Sequence, residues 1–175
     1  MARLIGNSKI SCAVFISGRG TNFKSIFNYT NKRKSKIILK LVISNKKDAH
    51  GLKFARKNKI KIKIVNFKLK NKAEKEIISY LKENNIKLIC LAGFMKILSK
   101  YFIKSFKYKI LNIHPSLLPK YKGLNTHERV LNNKEKYSGC TVHFVNSRLD
   151  SGKIILQKKV KILKKDTVSS LSKKI

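Results

Sequence analysis

The sequence predicts an α/β protein whose doubly wound, mostly parallel sheet ends in an antiparallel pair of strands. Two observations support this prediction. Short apolar runs rich in β-branched residues alternate with segments of helical spacing along most of the chain. The last two strand-like runs follow each other with only a turn between them, as antiparallel neighbours do. The 175 residues contain no recognisable linker, so one domain over 1–175 is expected.

The predicted strands are short runs of apolar and β-branched residues. In chain order they are 11–17, 37–43, 60–65, 87–92, 110–113, 140–145 and 154–161. Glycines at 18 and 20 end the first strand. Pro115 and Pro119 follow the fifth strand and end it, because proline fixes φ and cannot donate to a sheet. A turn at 150–152 separates the last two strands.

The predicted helices occupy the segments between these strands. The first begins at Phe23, and others cover about 48–58, 72–84, 99–106 and 126–132, with the start of a last helix after Asp166. Ile77, Ile78 and Leu81 show the helical spacing most clearly. Asp166 or Thr167 is expected to cap the last helix, because a side-chain oxygen can accept from the free N–H groups of its first turn.

The net charge of +34 allows two explanations. A basic protein can bind nucleic acid or an anionic membrane. Alternatively, lysine, isoleucine and asparagine are enriched together, as expected from AT-rich codons. Because the lysines are spread along the whole chain, the second explanation is favoured and no specific nucleic-acid partner is expected.

The sequence also predicts a cytoplasmic protein without membrane spans. No apolar run approaches the roughly 20 residues that a span needs, and residues 1–7 do not resemble a secretory signal. Cys12, Cys90 and Cys140 are odd in number and far apart, which argues against a disulfide framework and favours buried free thiols.

In a doubly wound sheet, ligands bind beyond the carboxyl ends of the strands, and the loop at 18–22 is the first candidate there. Its two glycines and the following helix start suit one phosphate group. A dinucleotide fingerprint would need a third glycine, and a P-loop would need a lysine. A plain tight turn is the alternative.

Asn112 and His114 are the main catalytic candidates. They lie two residues apart at the end of a strand and should therefore point the same way. Asp150 could hold the imidazole in its charged form for acid catalysis. A purely structural histidine is one alternative, and a zinc site formed by His114, His127 and His143 is another, although these histidines lack a ligand-motif spacing.

Met95, Ile97 and Leu98 follow the fourth strand and a glycine. They are either core residues of the next helix or the walls of an apolar slot for a flat ring system.

Several motifs occur together in an order that resembles one enzyme family. They are 16–22 (Ile-Ser-Gly-Arg-Gly-Thr-Asn), 44–45 (Ser-Asn), 91–98 (Leu-Ala-Gly-Phe-Met-Lys-Ile-Leu), 112–119 (Asn-Ile-His-Pro-Ser-Leu-Leu-Pro), Gly123 with Thr126-His127, 142–145 (Val-His-Phe-Val) and 149–152 (Leu-Asp-Ser-Gly). The set resembles the phosphoribosylglycinamide formyltransferase family over essentially the whole chain. The 112–119 motif alone would also fit methionyl-tRNA formyltransferase or formyltetrahydrofolate deformylase.

The resemblance implies formyl transfer from the co-substrate 10-formyltetrahydrofolate to glycinamide ribonucleotide in purine synthesis, by a monomer or homodimer without a metal. It implies three groups of site residues. The catalytic residues would be Asn112, His114 and Asp150; the phosphate would be held by Gly20, Thr21 and Asn22; and the folate would be held by Lys70, Met95, Lys96, Ile97, Leu98 and Asn112. Lys70 stands where the family usually has arginine, and the chain is expected to be shorter at its C-terminus than its relatives.

Overall fold

The structure, a computed structural model, describes residues 9–175, so the N-terminal stretch 1–7 examined for a targeting signal lies outside the described residues. The strands are β1 (Ile10–Ile16), β2 (Ile37–Ser44), β3 (Lys61–Ile64), β4 (Leu88–Leu91), β5 (Lys109–His114), β6 (Tyr137–Phe144) and β7 (Ile154–Lys161). The helices are α1 (Thr21–Thr30), α2 (Gly51–Lys57), α3 (Lys70–Glu83), α4 (Lys100–Ser105), α5 (Thr126–Asn132) and α6 (Val168–Lys174).

The strands form one sheet in the order β3-β2-β1-β4-β5-β6-β7. The first five strands are parallel, whereas β6 is antiparallel to both β5 and β7. The predicted fold class, a doubly wound sheet that ends in an antiparallel pair, is therefore confirmed. The chain builds outward from β1 to β3 and then crosses back to β4 on the other side of β1, which creates a switch point between β1 and β4.

The core lies on both faces of this sheet, as the continuous apolar sequence of β1 indicates. Ala13 and Phe15 point toward the side covered by α3 and α4, where they join a cluster that includes Ile77 and Phe102. The alternate residues of β1 point to the other side and pack with Phe23 of α1 and Leu52 of α2. Burial on both faces makes β1 a rigid support for the loop at its carboxyl end.

Some boundaries differ from the predicted ones. Helix α1 begins at Thr21, not Phe23, because Gly20 adopts a left-handed φ of 76° and ends the preceding loop. Helix α3 begins at Lys70, two residues before the predicted start. Strand β6 begins at Tyr137 and includes Gly139, where the backbone of β7 at Lys158 leaves no space for a side chain.

The three cysteines are free, but only Cys12 is fully buried, while Cys90 and Cys140 are partly exposed. The expectation of three buried thiols is thus correct for one of them. No helix within residues 9–175 is long and apolar enough to cross a bilayer.

Candidate active site

Asn112 and His114 lie at the carboxyl end of β5, and both side chains reach the carboxylate of Asp150. Asn112 Nδ2 is 3.4 Å from Asp150 Oδ1, and His114 Nδ1 is 3.3 Å from Asp150 Oδ2. Alternation along the strand explains why residues 112 and 114 share a face. The structure therefore brings together the three residues that the sequence analysis proposes as catalytic.

His114 is buried and faces an acceptor with each ring nitrogen. Its Nε2 lies 2.8 Å from the carbonyl oxygen of Tyr121, which can only accept, so Nε2 donates. Its Nδ1 faces the carboxylate of Asp150. Both ring nitrogens thus face oxygen atoms, and the Nδ1 contact joins the imidazole to Asp150. The proline-containing loop after β5 supplies Tyr121 and thus forms part of the site.

Two opposing effects act on the pKa of Asp150, and the one that favours the carboxylate is the stronger. Burial by itself raises the pKa of this group, but the hydrogen bond from the Gly123 N–H at 2.9 Å and the charge of His114 act against burial. The pKa of Asp150 therefore lies below its ordinary value. Its φ of 44° is left-handed, a conformation that aspartate tolerates better than most residues.

His143 is a site residue to which the sequence assigns no catalytic role, although it belongs to the 142–145 motif and to the possible zinc ligands. It lies on β6 directly opposite Asn112 in the β5–β6 register and is 2% exposed. Its Nε2 is 3.2 Å from Asn112 Nδ2 and 3.7 Å from Asp150 Oδ1. The polar residue at the centre of the apolar run 142–145 was the available signal, but its partner depends on the register between the two strands.

The candidate phosphate loop follows β1 and leads into α1. Gly20 precedes the helix, and Thr21 and Asn22 are its first two residues, so their N–H groups lack partners within the helix. Thr21 is exposed and Asn22 is half-buried, which leaves this helix start accessible to an anion.

Gly20 is required for a reason that the sequence did not reveal. A Cβ at this position would lie 2.8 Å from the Cα of Gly51, the first residue of α2. Glycine therefore allows the starts of α1 and α2 to approach each other, and Gly51 donates its N–H to the carbonyl oxygen of Gly18. The close packing of two helix starts shapes the loop.

The candidate folate segment, residues 93–98, is a loop and not the beginning of α4. Met95 and Ile97 are 62% and 63% exposed, and Lys96 is also exposed. These side chains are available to a ligand, which fits an apolar slot better than core packing. Leu98 differs from the expectation, because its side chain is buried in the core and only its backbone can contribute to a site.

Two buried groups hold this loop in place. Near its start, Met95 donates its N–H to Ser17 Oγ at 2.8 Å, and that hydroxyl donates to Asn45 Oδ1. At its end, Glu74 of α3 accepts from both the N–H and the hydroxyl of Ser99. The carboxyl ends of β1, β2 and β4 are thereby connected.

Lys70 lies on the first turn of α3, close to the same loop. The rings of Phe67 and Phe94 pack edge to face with centroids 5.6 Å apart, which brings the segment before α3 against residues 93–98. Lys70 is exposed, so its ammonium is free to face an anion.

Within residues 9–175, no group of three histidine, cysteine, aspartate or glutamate side chains is arranged to hold a metal ion. His114 and His143 both approach Asp150, whereas the third residue of the zinc alternative, His127, has a buried Nδ1 without a hydrogen-bond partner in the described part of the chain.

Comparison with known proteins shows one consistent family. A family model described as "Formyl transferase" matches residues 10–175. The phosphoribosylglycinamide formyltransferase of Haemophilus influenzae is 42% identical over 162 residues, which are 91% of this chain and 76% of that protein. A glycinamide ribonucleotide transformylase 1 from Symbiobacterium toebii has a similar structure, with a TM-score of 0.92, 35% identity, and coverage of 97% of this chain and 81% of that one.

Larger proteins contain a similar segment. The trifunctional purine biosynthetic protein adenosine-3 of Gallus gallus is 42% identical over 174 residues, which are 98% of this chain. This chain spans only 17% of the length of that relative.

Proposed function

The chain belongs to the formyl transferase family, and we propose that it transfers the formyl group of 10-formyltetrahydrofolate to the amine of glycinamide ribonucleotide. The observation that carries the proposal is the convergence of Asn112 and His114 on one anionic group, the carboxylate of Asp150. Side-chain donors aimed at a common point are what a developing oxyanion requires. The names of the relatives supply the identity of the acceptor, glycinamide ribonucleotide, and the resemblance to their family implies the formyl donor.

In the proposed reaction, the substrate amine forms a bond to the formyl carbon, and the bond from that carbon to the folate nitrogen breaks. One proton leaves the amine and one reaches the folate nitrogen, so charge and atoms balance. Asn112 and the imidazolium of His114 stabilise the negative charge on the formyl oxygen. Their contacts with Asp150 are long, at 3.4 and 3.3 Å, so the oxyanion can replace part of them.

Asp150 has two roles in this mechanism. Its carboxylate favours the charged form of His114. As an ionised acceptor next to the reacting groups, it can also help to pass the proton from the amine toward the folate nitrogen. The lowered pKa of Asp150 keeps it available for both roles at neutral pH.

The two substrates are assigned to neighbouring loops. Gly20, Thr21 and Asn22 would bind the ribose phosphate at the start of α1. Met95, Lys96, Ile97 and the backbone of Leu98 would surround the pterin ring, with Asn112 beside it and Lys70 facing an anionic part of the folate. Because β4 lies between β1 and β5, this loop is next to both the phosphate loop and the catalytic group.

We also propose that residues 10–175 act as one formyltransferase domain in the cytoplasm. The free cysteines agree with a reducing compartment. In this proposal the many lysines do not form a binding site for a specific nucleic acid.

The test is a formyl-transfer assay with glycinamide ribonucleotide and 10-formyltetrahydrofolate, in which both products are quantified. Two parallel reactions, one with methionyl-tRNA and one without an acceptor, examine the activities that share the 112–119 motif. We expect product only with glycinamide ribonucleotide, and a loss of roughly 100-fold or more in kcat for His114→Ala. Formylated tRNA would indicate a methionyl-tRNA formyltransferase, and release of formate without an acceptor would indicate a formyltetrahydrofolate deformylase. Either result would contradict the proposed function. A normal kcat for His114→Ala would contradict the proposed role of His114 in stabilising the oxyanion.

A further inference from the structure

We propose that His143 is a positioning residue that fixes the orientation of the Asn112 amide, so that its NH2 group and not its oxygen faces the reaction. This inference rests on the proposed function, because it assigns a role within the same site. His143 is 2% exposed, lies opposite Asn112 in the sheet, and is used by no step of the mechanism described above.

The hydrogen bonds of His143 determine its tautomer. Nδ1 lies 2.8 Å from the carbonyl oxygen of Phe144. A carbonyl oxygen only accepts, so Nδ1 must carry a hydrogen and donate. In the neutral ring, Nε2 therefore carries a lone pair. Its 3.7 Å separation from Asp150 Oδ1 is too long for a hydrogen bond, whereas Asn112 Nδ2 lies within hydrogen-bond distance at 3.2 Å, so Nε2 accepts from Asn112.

This lone pair selects one of the two orientations of the Asn112 amide. With Nδ2 placed 3.2 Å from His143 Nε2, Asn112 donates a hydrogen bond. If the amide were rotated by half a turn, its oxygen would face the lone pair and repel it. His143 thus keeps the NH2 group of Asn112 on the side of Asp150, where the donors converge.

The consequence for catalysis is specific. An amide in the reversed orientation would place an oxygen, not a donor, next to the developing negative charge. Of the two contacts that Nδ2 makes, the 3.2 Å contact with His143 is shorter than the 3.4 Å contact with Asp150. We therefore expect the contact with His143 to persist when the oxyanion replaces Asp150 as the second partner.

The test compares two substitutions of similar volume. His143→Leu fills the space without an acceptor, whereas His143→Gln offers an amide oxygen in its place. We expect His143→Leu to lower kcat about 10-fold or more while both KM values change little, since one hydrogen bond corresponds to roughly a factor of ten. His143→Gln should recover a large part of the loss. Val142→Ala, at the adjacent position that points to the opposite face of β6, controls for weakening of the strand.

A double-substitution cycle separates positioning from general support. In an Asn112→Ala background, His143→Leu should cause no further loss of kcat, because the amide that it orients is gone. Additive losses, or a normal kcat in His143→Leu alone, would overturn the inference even if the wild-type chain is active. Nitrogen NMR of the imidazole gives a readout independent of turnover: a proton on Nε2 instead of Nδ1 would also overturn it. An inactive wild-type chain with the expected tautomer would count against the proposed function instead.

Discussion

Asp150 is the residue at which burial and charge oppose each other most directly. Its side chain is 8% exposed, yet its hydrogen bonds and the nearby charge of His114 keep its pKa below the ordinary value of 3.8. A carboxylate in such surroundings contributes to both catalysis and stability. Its left-handed backbone also limits which substitutions can be compared with it, and asparagine is the closest residue that tolerates the same conformation.

For Asp150→Asn we expect a loss of roughly 100-fold in kcat, because a neutral amide cannot hold His114 in its charged form. The pKa of Asp150 is lowered on folding, so its stabilising contribution is present above about pH 3.8 and is lost as the pH falls through the lowered pKa. The difference in Tm between the two proteins should therefore be present at pH 7 and shrink below pH 3.8. A difference in Tm that does not vary with pH would contradict this account.

The close approach of Gly20 to Gly51 can be tested by substitution, with Gly18 as the matched control. A Cβ at Gly20 would meet the backbone of Gly51 and would also require alanine to adopt a φ of 76°. At Gly18, a Cβ would meet no atom within 4 Å. Gly20→Ala should therefore lower the free energy of unfolding by about 1–3 kcal/mol and weaken nucleotide binding.

Gly18→Ala should change the stability by less than about 0.5 kcal/mol and leave nucleotide affinity nearly unchanged. Thermal unfolding and calorimetric titration with glycinamide ribonucleotide measure both effects. Equal behaviour of the two variants would show that the approach of α1 and α2 does not shape the loop.

The sequence predicts the residues that share a strand better than those that meet across strands. Asn112 and His114 follow from alternation along β5 alone. The pairing of Asn112 with His143 could not be predicted in the same way, because the chain passes through the proline loop and α5 before it returns as β6. The register across such a long connection is determined by packing and not by local sequence.

At the scale of elements, α3 supports the loop at residues 93–98 through Glu74. This side chain is fully buried, and its carboxylate accepts twice from Ser99, the residue that also caps α4. One carboxylate thus connects a helix, the end of a loop and the start of a second helix. The sequence predicts α3 from its apolar spacing, but nothing in that spacing indicates that Glu74 faces inward.

We expect Glu74→Gln to lower the free energy of unfolding by about 1–3 kcal/mol, because the Ser99 hydroxyl loses the carboxylate oxygen to which it donates and faces an NH2 group instead. Its KM for 10-formyltetrahydrofolate should rise more than kcat falls, since the loop and not the catalytic group is disturbed. Glu76→Gln is the control on the same helix, where an exposed pair with Lys63 is worth at most about 1 kcal/mol. A raised KM in Glu76→Gln but not in Glu74→Gln would contradict the role of Glu74 in holding the loop at residues 93–98.

Helix α6 depends on Asp166 in a way that makes its stability sensitive to acid. The carboxylate accepts from the N–H of Leu163, from Lys174 and from Ser170, and these contacts lower its pKa to about 2 from an ordinary value of 3.8. Thr167 caps the helix as the sequence predicts, together with Ser170. Asp166, the other predicted cap, instead connects the preceding turn to the helix.

For Asp166→Asn we expect a lower Tm at neutral pH, because the charge-assisted contact with Lys174 is lost. The contribution of the carboxylate is complete above pH 3.8 and disappears as the pH falls toward about 2. The Tm values of the two proteins should converge over that interval. Hydrogen exchange of the amides in 168–174 locates the effect, and unchanged protection there would exclude a role for Asp166 in holding α6.

At the scale of the whole molecule, the alternation of strands and helices was sufficient to predict the fold class but not the order of strands in the sheet. The crossing from β3 back to β4 on the other side of β1 follows from packing helices on both faces. This crossing has a functional consequence, because it places the loops after β1 and β4 next to each other and leaves β5 beside them.

The net charge of +34 belongs to the whole molecule as well. If the lysines reflect composition rather than a binding surface, the chain should bind duplex DNA and tRNA weakly and without preference for sequence. Such binding should fall steeply with salt, because it arises from the release of counterions.

The same excess of positive charge should attract the anionic nucleotide substrate, so kcat/KM should decrease as ionic strength rises while kcat stays nearly constant. Titrations of labelled tRNA and duplex DNA over a series of salt concentrations, together with initial rates in the same buffers, measure both effects. A complex that persists at physiological salt and distinguishes one sequence from another would mean that the lysines form a recognition surface, because nonspecific attraction between opposite charges has neither property.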